Sequence, residues 1–247
     1  MARRYHVSPL PPAGTHRLPE EVAHHLAHVM RAKAGEPVVL FDGAGRECHG
    51  EIVLVEESHH RVHQVAVVEA RLGELVMSRT EPRVEVEVAF AVPKGHRSDW
   101  LFEHGTEVGI RRFRPLLCAR SHPRSHPAGD GERASRRHQR WQRICQAAAG
   151  QCDRSLVPDI ATVAAFDHLL QLQDLAPERY LAHADGPPLA AASGDTALLL
   201  VGPAGGFTSD EIAAAVAAGF EPRNLGPLTL RTETAVLAGA VRLMAEG

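Results

Sequence analysis

The amino-acid sequence predicts an α/β protein in two parts. A small β-barrel domain covers residues 1–75, and an α/β domain built on a parallel sheet covers residues 76–247. Three observations carry this. Residues 1–75 read as apolar strands around a turn with a single helical stretch, too little helix for a βαβ architecture. Beyond residue 83 strand patterns alternate with helix patterns, the order that gives a parallel sheet covered on both faces. The run Ala197-Leu198-Leu199-Leu200-Val201 is apolar throughout, as in a strand buried on both sides.

The elements follow in order. A helix is predicted over 20–31, then a strand at Pro37-Val38-Val39-Leu40-Phe41, with Asp42-Gly43-Ala44-Gly45 as hairpin turn. The return strand runs through Ile52, Leu54 and Val55, and a further strand covers 62–68. Residues 71–82 read as a linker. The second part opens with the alternating strand Val84, Val86, Val88, Phe90, then a helix over 99–108 stopped at Gly109, and a strand over 113–118. Helices are predicted over 133–149, 163–172, 209–218 and 233–245, with strands at 180–182 and 197–201.

Composition excludes several classes. Apolar residues make up 44% and charged residues 23% of 247, which is neither a disordered nor a fibrous chain. No run of about 18 apolar residues is present, and the N-terminus lacks a signal-peptide apolar core, which points to a cytoplasmic protein without a membrane span. The four cysteines, Cys48, Cys118, Cys145 and Cys152, are irregularly spaced and read as reduced, buried thiols. The net charge of −3 argues against a nucleic-acid partner, but it is an average. Residues 111–143 hold ten Arg against Asp130 and Glu132, so this segment is +8 and the remainder is −11. Arginine forks suit phosphate, so the segment reads either as an RNA-facing surface or as a solvated helix with a loop at 121–131.

Two segments could carry chemistry. The buried strand ending at Val201 runs into Gly202-Pro203-Ala204-Gly205-Gly206-Phe207, and Thr208-Ser209-Asp210-Glu211 follows as a capping box. Glycines there let a ligand approach the backbone, at the strand ends where α/β folds bind. It is neither a Walker loop nor a dinucleotide fingerprint. The second segment, Leu225-Gly226-Pro227-Leu228-Thr229-Leu230-Arg231-Thr232-Glu233-Thr234-Ala235, delivers Arg231 to Thr234 at a helix start. Thr232 as N-cap and Glu233 in the first turn suit a helix N-terminus, whereas the cation of Arg231 does not, which marks it as a functional candidate. His24 with His28, and His59, His60 and His63, lack metal-ligand spacing, so no metal is expected. No Ser-His-Asp order or nucleophile elbow supports hydrolysis.

Taken together, the two segments resemble the paired motifs of the RsmE family, the small-subunit ribosomal RNA methyltransferases that modify N3 of a uridine, within the SPOUT superfamily. Further segments resemble the family in order: Arg3-Arg4-Tyr5-His6 its start, His28-Val29-Met30-Arg31 and Leu40-Phe41-Asp42-Gly43 its PUA-like domain. Lys94-Gly95-His96-Arg97 and Thr106-Glu107-Val108-Gly109-Ile110 resemble the opening of its methyltransferase domain, and 141–158, with Gln151-Cys152-Asp153-Arg154, its central helix and turn. The resemblance implies a SPOUT α/β domain with a deep trefoil knot after a PUA-like β-barrel, S-adenosylmethionine as cofactor, and a homodimer. Carried over by position, cofactor contacts fall on Leu181, His183, Val201, Gly202, Pro203, Gly205, Gly206, Leu225, Gly226, Leu228, Leu230 and Thr234. Three positions depart from the family pattern: Ala204 and Gly150, where Glu is usual, and His104, where Lys is frequent.

The chemistry implied is methyl transfer to a uracil nitrogen of 16S rRNA, naked or in the assembled small subunit. The base must leave its stack, lose its N3 proton and have charge on its carbonyls stabilised. Arg231 is assigned that stabilisation, and Glu233 either orients Arg231 or takes up a proton. Arg3, Arg31, Lys94, Arg97 and Arg154 are assigned to the RNA, extended by the Arg-rich segment. Two alternatives remain at this level: an RNA-binding protein without catalysis, motivated by Ala204 and Gly150, and a SPOUT enzyme acting on another atom, such as a ribose hydroxyl.

Overall fold

The computed structural model describes residues 2–59, 64–78, 80–121 and 131–245. The chain divides into two compact units, Met1–Glu81 with Ala149–Val157, and Pro82–Ala148 with Pro158–Gly247.

The first unit is a five-stranded sheet in the order β1-β3-β4-β5-β2. Its strands are β1 (Arg3–His6), β2 (Gly14–Arg17), β3 (Pro37–Phe41), β4 (Arg46–His59) and β5 (Gln64–Met77). The β1–β3 pair is parallel and the rest are antiparallel. The hairpin turn predicted at 42–45 joins β3 to β4, with Gly43 and Gly45 at φ +79° and +94°. The stretch read as a linker is strand as far as Met77, and β1 and β2 were not assigned from sequence because four-residue, half-polar strands give no period. The predicted helix is α1 (Glu20–His24) followed by a π-turn over His25–Val29. Its Leu26 and Ala27 are buried, and Leu26 packs with Leu40, Ile52 and Val68 in one core.

Residues 149–157 belong to this β-rich unit although they lie far along the chain. Gly45 N–H donates to Ser155 O (3.0 Å) and Val157 N–H to Gly43 O (2.9 Å). Arg4 and Ser155 both bond Glu47, and burial of that carboxylate is overcome by hydrogen bonds from Ser155, Arg4 and His49, which hold its pKa down at about 2. A Cβ at Gly150 would lie 3.2 Å from Arg4 O, a tight contact.

The second unit is a parallel sheet in the order β12-β10-β11-β6-β7-β8. These are β6 (Glu85–Ala91), β7 (Arg112–Leu117), β8 (Asp159–Ile160), β10 (Glu178–Ala182), β11 (Thr196–Val201) and β12 (Glu221–Arg223), with a short β9 (Ala164–Ala165) also on β7. β11 is inserted between β6 and β10 and is buried along its length after Thr196, as its continuous apolar run predicts. The helices are α2 (His96–Glu107), α3 (Gly131–Gln151), α4 (Phe166–Leu170), α5 (Ser209–Ala217) and α6 (Thr232–Met244). α2 ends as predicted at Gly109, φ +101°, in a Schellman motif with Ile110 N–H on Gly105 O and Gly109 N–H on Thr106 O. The helix predicted over 163–172 is confined to α4, because Ala164 and Ala165 pair with β7. β12 was not foreseen; three residues containing Pro222 carry no strand signal.

Candidate functional site

Two loops at the C-terminal ends of β11 and β12 come together through one hydrogen bond. Thr232 Oγ1 donates to Gly202 O at 2.9 Å, and Thr232 is only 7% exposed. Thr232 is therefore not the N-cap of α6: Arg231 holds that position, with extended backbone (φ −69°, ψ 155°) and no side-chain cap. The threonine hydroxyl instead fastens the start of α6 to the glycine loop.

The loop is shaped locally. A Cβ at Gly202 would lie 2.9 Å from the Phe207 ring, so the chain folds over that ring only with glycine. Gly206 and Gly226 take φ +71° and +128°, and no atom lies within 4 Å of where their Cβ atoms would stand. The backbone is thus laid bare on the open side. The capping box forms as predicted: Glu211 N–H donates to Thr208 Oγ1 (3.1 Å), and Thr208 N–H donates to Glu211 Oε2 (2.8 Å). The other oxygen of this buried carboxylate accepts from Ala119 N–H at 2.7 Å. Beside it, Arg120 donates to Gly205 O (2.9 Å) and Phe207 O (3.3 Å), so the turn after β7 grips the glycine loop from outside. Burial, with the Glu211 charge adding to it, pushes the Cys118 thiol up to about 12, which removes it as a nucleophile.

The two loops enclose a cavity of about 340 Å³, within the range of small-molecule sites. Of the residues assigned to the cofactor by position, His183, Val201, Gly202, Pro203, Gly206, Leu225, Gly226, Leu228 and Leu230 line it. Leu181 does not: it is fully buried in the core of the sheet, and Ala182, His183 and Ala184 reach the cavity in its place. Gly205 and Thr234 are not in the lining either; Gly205 turns its carbonyl to Arg120, and the α6 positions facing in are Thr232 and Ala235. Asn224, Phe207 and Ile212 also line it, without having been assigned to the cofactor.

Arg231 is exposed at the head of α6, and Glu233 is 8% exposed with Arg97 Nε 3.6 Å from its Oε1. Lys94 is exposed on the segment leading into α2, and Arg97 is exposed in its first turn. In the β-rich unit Arg31 is exposed at φ +50°, while Arg3 is half-buried and paired with Glu36 at 2.7 Å. Arg154 is 3% exposed, its guanidinium on Glu81 at 2.7 to 3.2 Å, so a role as a surface RNA contact does not fit it. The Arg-rich segment is also not one footprint. Arg111, Arg112, Arg114, Arg136 and Arg140 pair with Glu85, Glu87, Glu132, Asp159, Asp174 and Asp99, and Arg114 is 7% exposed. Arg124 and most of the loop predicted there, like His60 and His63, lie outside the described residues. Among the described residues no group of three His, Cys, Asp or Glu could hold a metal ion, and no helix is long and apolar enough to cross a membrane.

A family model described as an RNA methyltransferase domain matches residues 80–244, and one described as an RNA methyltransferase PUA domain matches residues 18–60. A ribosomal RNA small subunit methyltransferase E of Mycobacterium bovis is 31% identical over 99% of this chain and 92% of its own. The chain belongs to the RsmE family. The Bacillus subtilis RsmE is 28% identical, over 91% of this chain and 88% of its own. A Neisseria gonorrhoeae RsmE solved bound to S-adenosyl methionine superposes with a TM-score of 0.80 at 27% identity, covering 98% of this chain and 96% of the other. The RsmE fold thus accounts for the parallel α/β sheet and for the β-rich unit as its PUA domain.

Proposed function

We propose that this protein methylates N3 of a uridine in 16S rRNA with S-adenosylmethionine. Membership of the RsmE family makes it a small-subunit rRNA methyltransferase. The observation that carries the site is the Thr232–Gly202 hydrogen bond, which closes two glycine-containing loops around a cavity of cofactor size and sets Arg231 and Glu233 beside it in sequence. The lining fits the cofactor: the open space beside Gly206 and Gly226 lets an adenosine come close to the backbone, and Leu225, Leu228 and Leu230 offer apolar surface. When bound, S-adenosylmethionine supplies a sulfonium methyl group to a nucleophile.

The residues of the chain do the rest. Arg231, uncapped and exposed, is the cation for charge that develops on the uracil carbonyls as N3 loses its proton. Glu233, buried and facing Arg97, orients the guanidinium groups around it or accepts that proton. Arg3, Arg31, Lys94 and Arg97 contact RNA phosphates, the threading of the loops is that of a trefoil knot, and the working form is a homodimer.

The test is mass spectrometry of small-subunit rRNA from a strain lacking this protein, complemented by wild type or by Arg231→Ala. The N3-methyluridine is expected to vanish and to return with wild type. The purified Arg231→Ala protein is expected to lose about 10²-fold in kcat while keeping its S-adenosylmethionine affinity. Undiminished N3-methyluridine in the deletion strain sinks the substrate assignment.

A further inference from the structure

A second cavity, of about 610 Å³, lies between the segment leading into α2 and the side of α3. Its lining holds four cations, Lys94, Arg136, Arg137 and Arg140, against the single carboxylate of Asp99. Asp99 is already engaged by Arg140 at 2.6 Å, and Arg136 bonds Glu132 one turn back on α3. Arg137 stands apart. Its guanidinium lies over the Trp141 ring, 5.1 Å from the centroid, and its Nε is buried with no hydrogen-bond partner among the described residues. Burial depresses the pKa of this arginine, the signature of a cation removed from water without a compensating anion. A buried unpaired donor of this kind is costly unless something fills the site.

The rim is open to a ligand. Gly95 lines the cavity at φ +65°, and no atom lies within 4 Å of where its Cβ would stand, so a group can come close to the backbone. Trp141, 2% exposed, also lines it. The cavity is also linked to the site already described. Arg97, the residue after the lining His96, faces Glu233 at 3.6 Å, and Glu233 follows Thr232, which holds Gly202.

We propose that this cavity is a phosphate pocket that seats the backbone of the substrate RNA beside the target uridine, with Lys94 and Arg137 as its principal cations. The inference rests on the rRNA methyltransferase reading and adds to it a built site on α3. A phosphodiester supplies what the pocket lacks: an anion with several acceptor oxygens for a planar guanidinium fork and an ammonium.

The experiment uses the full-length protein and a fragment of small-subunit rRNA containing the target region. RNA affinity is measured by fluorescence anisotropy across a salt series, and S-adenosylmethionine affinity by calorimetry, for wild type, Lys94→Gln, Arg137→Gln and the double variant. The double variant is expected to lose about tenfold or more in RNA affinity. Each single substitution is expected to lower the slope of log K against log salt by about 1. S-adenosylmethionine affinity is expected to stay unchanged. Lys94 is exposed, so Lys94→Gln keeps the test valid if loss of the Trp141 stack unfolds Arg137→Gln. Unchanged RNA affinity and slope in Lys94→Gln overturn the pocket, while a wild-type protein that neither binds nor methylates the fragment overturns the parent reading instead.

Discussion

Arg120 grips the carbonyls of Gly205 and Phe207 from the turn after β7, and this contact decides what one part of the Arg-rich segment is for. From sequence, that segment reads as an RNA-facing surface or as a solvated helix with a loop. The structure instead divides it residue by residue. Arg112 and Arg114 neutralise Glu87 and Asp174 at the sheet, Arg120 braces the glycine loop, and Arg137 lines the second cavity. Arg120→Ala removes a charged donor from two carbonyls, so the S-adenosylmethionine Kd is expected to rise about tenfold by calorimetry. An unchanged Kd would show that the loop holds its shape without this brace.

Among the elements, α6 does most to place the site, and a glycine sets its depth. A Cβ at Gly239 would come within 2.3 Å of Leu199 Cδ2 on β11, so α6 lies as close to the sheet as a helix without a side chain there allows. That closeness brings Thr232 within reach of Gly202 O. Gly239→Ala therefore pushes α6 off the sheet despite the better helix propensity of Ala. We expect a loss of about 1–3 kcal/mol in urea unfolding, together with weaker S-adenosylmethionine binding. A variant as stable as wild type would mean that Leu199 yields. Strand pairing likewise limits α4: its periodicity is helical from 163, but Ala164 and Ala165 pair with β7.

At the scale of the whole molecule, the chain leaves the β-rich unit at Glu81 and returns to it for residues 149–157. The return is held by Glu47, bonded by Arg4 and Ser155. Burial opposes ionisation of this carboxylate, and its hydrogen bonds win, so its pKa lies at about 2 against an ordinary 4.5. A carboxylate depressed on folding stabilises the native state above its unfolded pKa, so the contribution is complete above about pH 4.5 and is lost as pH falls towards 2. Its size is on the order of 3 kcal/mol. Glu47→Gln is expected to lower stability by that order at pH 7 and to flatten the loss between pH 4.5 and 2, read from urea unfolding at a series of pH values. An unaltered pH profile would remove Glu47 as the clamp.

The sequence by itself determined what is local or periodic. β11 was legible because burial on both faces demands an unbroken apolar run, and α2 and α5 because Gly109 and the Thr208–Glu211 box act within one turn. The pairing of the two loop motifs was legible through resemblance, and nine of the twelve residues assigned to the cofactor line the cavity. What only the tertiary structure decided are the partners of charges and hydroxyls. Arg154 joins Glu81, Thr232 joins Gly202, and the arginines of 111–143 meet carboxylates from β6 and other distant segments. An ion pair or hydrogen bond between residues 27 to 73 positions apart leaves no periodicity in the chain, because it depends on where the fold brings two groups and not on the spacing of either.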